Sequence, residues 1–238
     1  DGKTLVGVMQ SALQQTDLAT TNAKNQTPVR IVTVDLAGGK THEYLFLLDN
    51  PKALGTAVSE ITAISDHEFL IDERDGGFVS ATSYKKLWKV DLAGATDVGP
   101  AHPDYTPGAG VLVNGRSIEL TVKALDTAPS RAALVAAGIT PVTQSVHLDV
   151  ARLLLRLDPQ ARFFSHDKIE GVAYVDGRIV LANDSDFGIG GVTGTTAPFT
   201  LAPKVSPFTG LVDDGEFLEI DPSKSATPAT ATVTVRVR

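Results

Sequence analysis

Short apolar runs alternate with turn signals along the whole chain, and none approaches the length of a membrane helix. Two stretches follow one pattern of apolar and polar positions without a gap: EITAISDHEFLIDERD from Glu60 and EGVAYVDGRIVLANDS from Glu170. Glu60 stands against Glu170, Ala63 against Ala173 and Asp66 against Asp176. The apolar triplets Phe69-Leu70-Ile71 and Ile179-Val180-Leu181 coincide, and Glu73 falls opposite Asn183. A polar residue, a strand, an Asp turn, a second strand and a polar cluster make one hairpin unit, used twice. The amino-terminal DGKTLVGVMQS matches the second half of that unit, with Asp1-Gly2 as the turn and Leu5 to Val8 as the strand. The half that would hold the matching Glu is missing, so the pattern starts inside a repeat.

A further strand follows each unit: PVRIVTVDLAGGK (28–40), KKLWKVDLAGATDV (85–98) and GEFLEIDPSK (215–224). Each is a β-branched or aromatic run that ends in Asp and then in turn residues. The last segment, ATATVTVRVR (229–238), alternates strictly and predicts an outer strand. Repeated units of short strands predict an all-β fold of the β-propeller type, with about three to four blades in this chain and about six or seven in a complete ring. Residues 1–238 then form a single propeller domain or its carboxy-terminal portion, starting inside a blade. A preceding segment or another chain would complete the ring. A short helical insertion interrupts the strands around 127–158. TAPSRAALVAAGI reads as a helix with Pro129 near its start and Gly138 at its end, and ARLLLRLDP as a helical turn before Pro159. RSIELTVKAL (116–125) and TQSVHLDV (143–150) read as strands, and 21–28 and 192–210 as loops.

Composition narrows the partners. Hydrophobic residues at 42% and charged residues at 21% fit an ordinary folded domain. Lys+Arg 21 against Asp+Glu 28 gives a net charge of -7, with a pI near 5.2. The densest basic run, YKKLWK, lies in a strand pattern, so nucleic acid is not an expected partner. Without cysteine the chain has neither a disulfide nor a thiolate metal site. There is no G-x-S-x-G elbow, no G-x-x-x-x-G-K loop and no H-E-x-x-H pair.

The chemistry therefore rests on the acids at the strand ends. In a propeller the innermost strand of each blade lines the central channel. Glu60 and Glu170 occupy one equivalent position; Glu73, Asp75, Asn183, Asp184 and Asp186 gather at another. Converging carboxylates repel one another unless a cation sits among them, and hard oxygen donors suit calcium or magnesium. Glu60, Glu170, Asn183, Asp184 and Asp186 are the candidate calcium ligands. Glu73, Arg74, His166 and Lys168 are the candidate catalytic residues. In that scheme His166 serves as general base, while Arg74 and Lys168 stabilise a phosphate or a developing oxyanion. Each assignment has a plainer counterpart: NDSDFG as an Asx-capped turn, His166 as a structural histidine, and Arg74 and Lys168 as partners of neighbouring acids.

At KIEGVAY and DGRIVLANDSDFG the chain resembles the phytase-like family, described as having esterase-like activity of phytase. SEITAI and FLIDERDG with KLWKVDLAGATDV are similar to the family's preceding blade, and DGKTLVGVMQSAL to the blade before that. The resemblance covers nearly all of the chain except the Ala/Pro-rich insertion around 127–143. It implies a propeller, often exported in bacteria, whose acids serve phosphoester or ester hydrolysis. It carries Glu60, Glu73, Arg74, Lys168, Glu170, Asn183, Asp184 and Asp186 into the site. The expectation is an extracytoplasmic, calcium-dependent hydrolase of a small ester or phosphoester. Two others stand beside it: a non-catalytic propeller that binds a ligand or partner, and a lactonase. The latter would resemble the gluconolactonase and paraoxonase propellers, which also place Glu, Asn and Asp around calcium.

Overall fold

Runs of β-branched and aromatic residues punctuated by Asp and Gly form short antiparallel strands here, and the turns repeat with the strands. The computed structural model describes residues 2–18, 23–122, 126–225 and 233–236. Asp1 of the first turn, Thr21 and Asn22 of the first loop, Lys123, Ala124 and Leu125 of the strand predicted over 116–125, and residues 229–232 and 237–238 of the last strand lie outside the described residues. The chain divides into two compact units, Asp1–Glu73 with Leu87–His147, and Arg74–Lys86 with Leu148–Arg238.

In the first unit β1 (Thr4–Val8), β2 (Pro28–Asp35) and β3 (Thr41–Leu47) form one antiparallel sheet, with Thr4 opposite Asp35 and Pro28 opposite Leu47. A short helix α1 (Pro51–Leu54) leads to β4 (Ala57–Ala63), β5 (Glu68–Arg74) and β6 (Lys85–Asp91). Small strands β7 (Tyr105–Thr106), β8 (Gly110–Val113) and β9 (Arg116–Ser117), then α2 (Ile118–Thr121) and α3 (Thr127–Ala136), separate these from β10 (Thr143–Asp149). The second sheet runs β10-β6-β5-β4.

The period of two along β3 builds two cores. Phe46, with Leu48 just beyond the strand, packs with Ile31, Val58, Ile71 and Trp88; Leu45 and Leu47 face the inserted elements through Val98, Ile118 and Leu134. Arg30 is buried with them because its guanidinium meets Glu119 at 2.9 Å and Glu43 at 2.8 Å. Burial alone would lower the Arg30 pKa, but these two carboxylates raise it.

Of the strand expected over 116–125, only Arg116–Ser117 is a strand, and Ile118–Thr121 is helical. Ser117 caps α2 by accepting the Leu120 N–H at 3.1 Å, and the apolar alternation of Ile118, Leu120 and Val122 that suggested a strand belongs to one helical turn and its end. Thr127–Ala136 is helical as expected.

In the second unit α4 (Val150–Leu157), capped by Asp149, precedes the sheet β11-β12-β15-β16. Its strands are β11 (Ile169–Val175), β12 (Arg178–Asn183), β15 (Phe217–Ile220) and β16 (Val233–Arg236). Between β12 and β15 lie the paired strands β13 (Ile189–Thr193) and β14 (Thr200–Pro203); α5 (Pro222–Ser225) follows β15. Val175 pairs with Arg178, leaving Asp176 (φ 50°) and Gly177 (φ 78°) as a two-residue turn with both φ angles positive, the geometry that Asp-Gly favours. The repeated hairpin is thus present twice, β4–β5 and β11–β12. The turns after the third strands repeat as well. Asp35, Asp91 and Asp221 each accept the backbone N–H two residues on, at 3.0, 2.8 and 3.0 Å. Among the described residues no helix is long and apolar enough to cross a membrane.

Candidate functional site

The expected site residues divide between the units. Glu60 and Glu73 belong to the first; Arg74, His166, Lys168, Glu170, Asn183, Asp184 and Asp186 belong to the second. Glu60 lies on β4, where its carboxylate accepts the Ile61 N–H at 2.8 Å. Glu73 is fully buried and satisfies three donors: the Asp49 N–H at 2.9 Å, the Thr56 hydroxyl at 2.7 Å and the Trp88 indole at 2.9 Å. Its carboxylate ties the first unit's core together.

The second unit gathers the rest around the entry and exit of the β11–β12 hairpin. A bulge between Ile169 and Gly171 leaves Glu170 outside the ladder, and its carboxylate pairs with Arg74. Past β12, Asp184 accepts the Asp186 N–H at 2.9 Å. Asp186, Phe187 and Gly188 then follow with φ of 51°, 58° and 70°. Left-handed backbone is uncommon for an aromatic residue, and this turn is fixed by its charges. Lys168 reaches Asp184 at 3.1 Å and Asp186 at 2.6 Å; Lys204 reaches the other Asp186 oxygen at 2.8 Å. Hydrogen bonds from these two ammonium groups hold the Asp186 pKa down to about 2.

Lys204 is the centre of the cluster. Its ammonium meets Asp167 at 2.7 Å, Asp186 at 2.8 Å and Asp213 at 3.0 Å. Burial would lower its pKa, yet the three carboxylates outweigh that and raise it above the ordinary lysine value. Lys85 caps the same region, with Asp75 at 2.9 Å and the Asp167 carbonyl at 2.5 Å. Asp213 passes the network to His166, whose Nδ1 lies 2.5 Å from it. The other ring nitrogen, Nε2, lies 3.0 Å from Glu216. Asn183 supports that end: its side-chain oxygen accepts the Glu216 N–H at 2.6 Å, and its amide donates to the Asp214 carbonyl at 2.9 Å. His166, Asp213 and Glu216 line a cavity of about 340 Å³, with Phe163, Phe164 and Val212 also in its wall.

Lys204, Asp213 and Glu216 did not stand out in the sequence. They come from stretches without a motif, and the signal they offered was modest: a lone lysine inside the apolar run LAPKV and an acid pair before β15.

The donors expected for calcium do not fit such an ion as they are arranged. Glu170 is held by Arg74, Asp184 and Asp186 by Lys168, and Asn183 by backbone groups, while Glu60 belongs to the first unit. Among the described residues no group of three His, Asp or Glu side chains is placed to hold a metal.

An all-β chain built from repeated antiparallel hairpins, with a histidine between two carboxylates at a pocket, is the class of protein that fold and site define. The model of the phytase-like family, described as esterase-like activity of phytase, matches residues 1–187. The chain belongs to that family. No curated protein and no solved structure matches it.

Proposed function

We propose that the second unit hydrolyses a small ester or phosphoester in the pocket that His166 lines. One observation carries this reading: the buried imidazole has a carboxylate on each nitrogen, Asp213 at 2.5 Å and Glu216 at 3.0 Å, beside a cavity of about 340 Å³. Nδ1 meets Asp213 and also the Asn183 side-chain amide, 2.9 Å away; in this reading the ring proton used in the reaction is the one on Nε2, shared with Glu216. Glu216 accepts the proton of a water as its oxygen attacks the carbonyl carbon or the phosphorus. The leaving oxygen takes the Nε2 proton, and Glu216 then returns its own to Nε2. One water is consumed, and an acid and an alcohol are released. Asp213, gripped by Lys204, fixes the ring through Nδ1 and acts only through His166.

In this reading the sheets β10-β6-β5-β4 and β11-β12-β15-β16 are blades of a propeller of about six or seven blades when complete. Their common strand order and the repeated hairpin support it. An extracytoplasmic location belongs to the same reading and is carried by the family resemblance. No step passes through a metal; assays with added calcium and with a chelator test the calcium expectation directly.

The decisive variants are His166→Gln and the half-buried Glu216→Gln, assayed on aryl esters, aryl phosphates and lactones. Each is expected to lower kcat about 100-fold or more with the circular dichroism spectrum intact. Turnover within threefold of the parent for both variants would refute the assignment, as would a rate that follows calcium and ignores both substitutions.

A further inference from the structure

We infer that the pocket selects an uncharged ester with an apolar acyl or aryl group and turns away polyanionic phosphoesters. This narrows the reading above and rests on it. Three acidic residues, Asp213, Asp214 and Glu216, line the cavity against one arginine, Arg162, and of the three only the Asp213 carboxylate is neutralised by a lysine, Lys204 at 3.0 Å. A polyphosphorylated ligand would bring its charges against that acidic wall. The unit's other basic groups around the cluster are already committed: Lys168 to Asp184 and Asp186, Lys204 to three aspartates, Arg74 to Glu170, and Lys85 to Asp75. A phosphate would have to displace a carboxylate from each cation it claimed.

Beside the hydroxyls of Ser165, Ser206 and Thr209, the rest of the wall is an apolar set of four, Phe163, Phe164, Leu211 and Val212. Phe164 is buried and packs edge-to-face with His166, at a centroid separation of 4.6 Å, so an aromatic side chain adjoins the imidazole itself. Phe163 continues the wall, and Leu211 and Val212 carry it to solvent at 69% and 47% exposure. The backbone of Val212 is paired with that of Val205 by an isolated antiparallel bridge. Exposed apolar side chains on a fixed backbone, running from a buried histidine to the pocket mouth, suit the hydrocarbon part of a substrate.

The test is a series of p-nitrophenyl esters from acetyl to octanoyl, with p-nitrophenyl phosphate and inositol hexakisphosphate assayed beside it on the full chain. The inference expects kcat/KM to rise along the acyl series, by roughly fourfold for each methylene that the pocket buries. It expects both phosphates to be turned over at least 100-fold less efficiently than the octanoyl ester. Leu211→Ser and Val212→Thr should each lower the octanoyl-to-acetyl ratio of kcat/KM several-fold, acting through KM. Two exposed positions guard against the failure of either variant to fold. Hydrolysis that depends on His166 but is flat along the series, or faster on either phosphate, overturns this inference and leaves the hydrolase reading standing. Absence of turnover on every ester and phosphate overturns both.

Discussion

Replacing Lys204 by methionine removes the charge on which the second unit's polar cluster converges. The lysine side chain is 9% exposed, and of its partners Asp213 is 0%, Asp167 12% and Asp186 40% exposed. Methionine fills similar volume, so packing changes little and electrostatics dominate. Breaking a buried ion pair by deleting one member costs about 3–5 kcal/mol, because the surviving charge is left desolvated. Asp213 and Asp167 bear that cost. Asp186 adds little, being partly solvated and still paired with Lys168 at 2.6 Å. Urea unfolding at pH 7 should therefore show a loss of about 3–5 kcal/mol. Lys204→Met/Asp213→Asn should be more stable than Lys204→Met alone, the sign of coupling between two members of one network. A loss below about 1 kcal/mol, the range of an exposed pair, would refute the reasoning. So would strict additivity in the double variant.

Two further outcomes test neighbouring parts of the structure. Glu73→Gln should destabilise the first unit by about 2–3 kcal/mol, because an amide nitrogen would face the Trp88 N–H that the carboxylate now accepts at 2.9 Å. The chain has one tryptophan, so its fluorescence reports that unfolding, and a shift under about 0.5 kcal/mol would count against a structural role for Glu73. Asp186 should titrate near 2 by carboxyl NMR and return toward the ordinary aspartate value in Lys168→Met. Because its folded pKa is depressed, its stabilisation is present above the unfolded aspartate value and is lost as pH falls toward 2; a midpoint at or above the ordinary value would contradict the ion pairing.

Local chemistry was legible wherever it was repeated. The hairpin from Glu170 and its twin from Glu60 could be read because the same order of acid, strand, Asp turn and strand occurs twice, and the Asp turns after the third strands because Asp35, Asp91 and Asp221 share one role. Residues 116–125 misled for a physical reason. Apolar residues at every second position fit one helical turn as well as a strand, and the capping hydroxyl of Ser117 decides between them. The buried pair of Arg30 with Glu119 gave no warning either, since 89 residues separate its members.

The candidate site follows the same division. Its hairpin end, with Lys168, Glu170, Asn183, Asp184 and Asp186, lies on the repeated motif and could be named from it. Its other end could not, because Lys204, Asp213 and Glu216 acquire meaning only through what they meet. A carboxylate cluster read along the chain looks like a cation site, since nothing in a linear pattern tells whether positive charge comes from an ion or from a side chain. Here Lys204, set in an apolar run and buried to 9% exposure, supplies the positive charge at the centre of the network. The consequence reaches the chemistry. Once Lys204 holds Asp213, the aspartate has one fixed direction in which to present its second oxygen, toward Nδ1 of His166 at 2.5 Å. The ring is thereby set with Nε2 toward Glu216 and the pocket, so the lysine that holds Asp186 also holds the aspartate that aims a histidine.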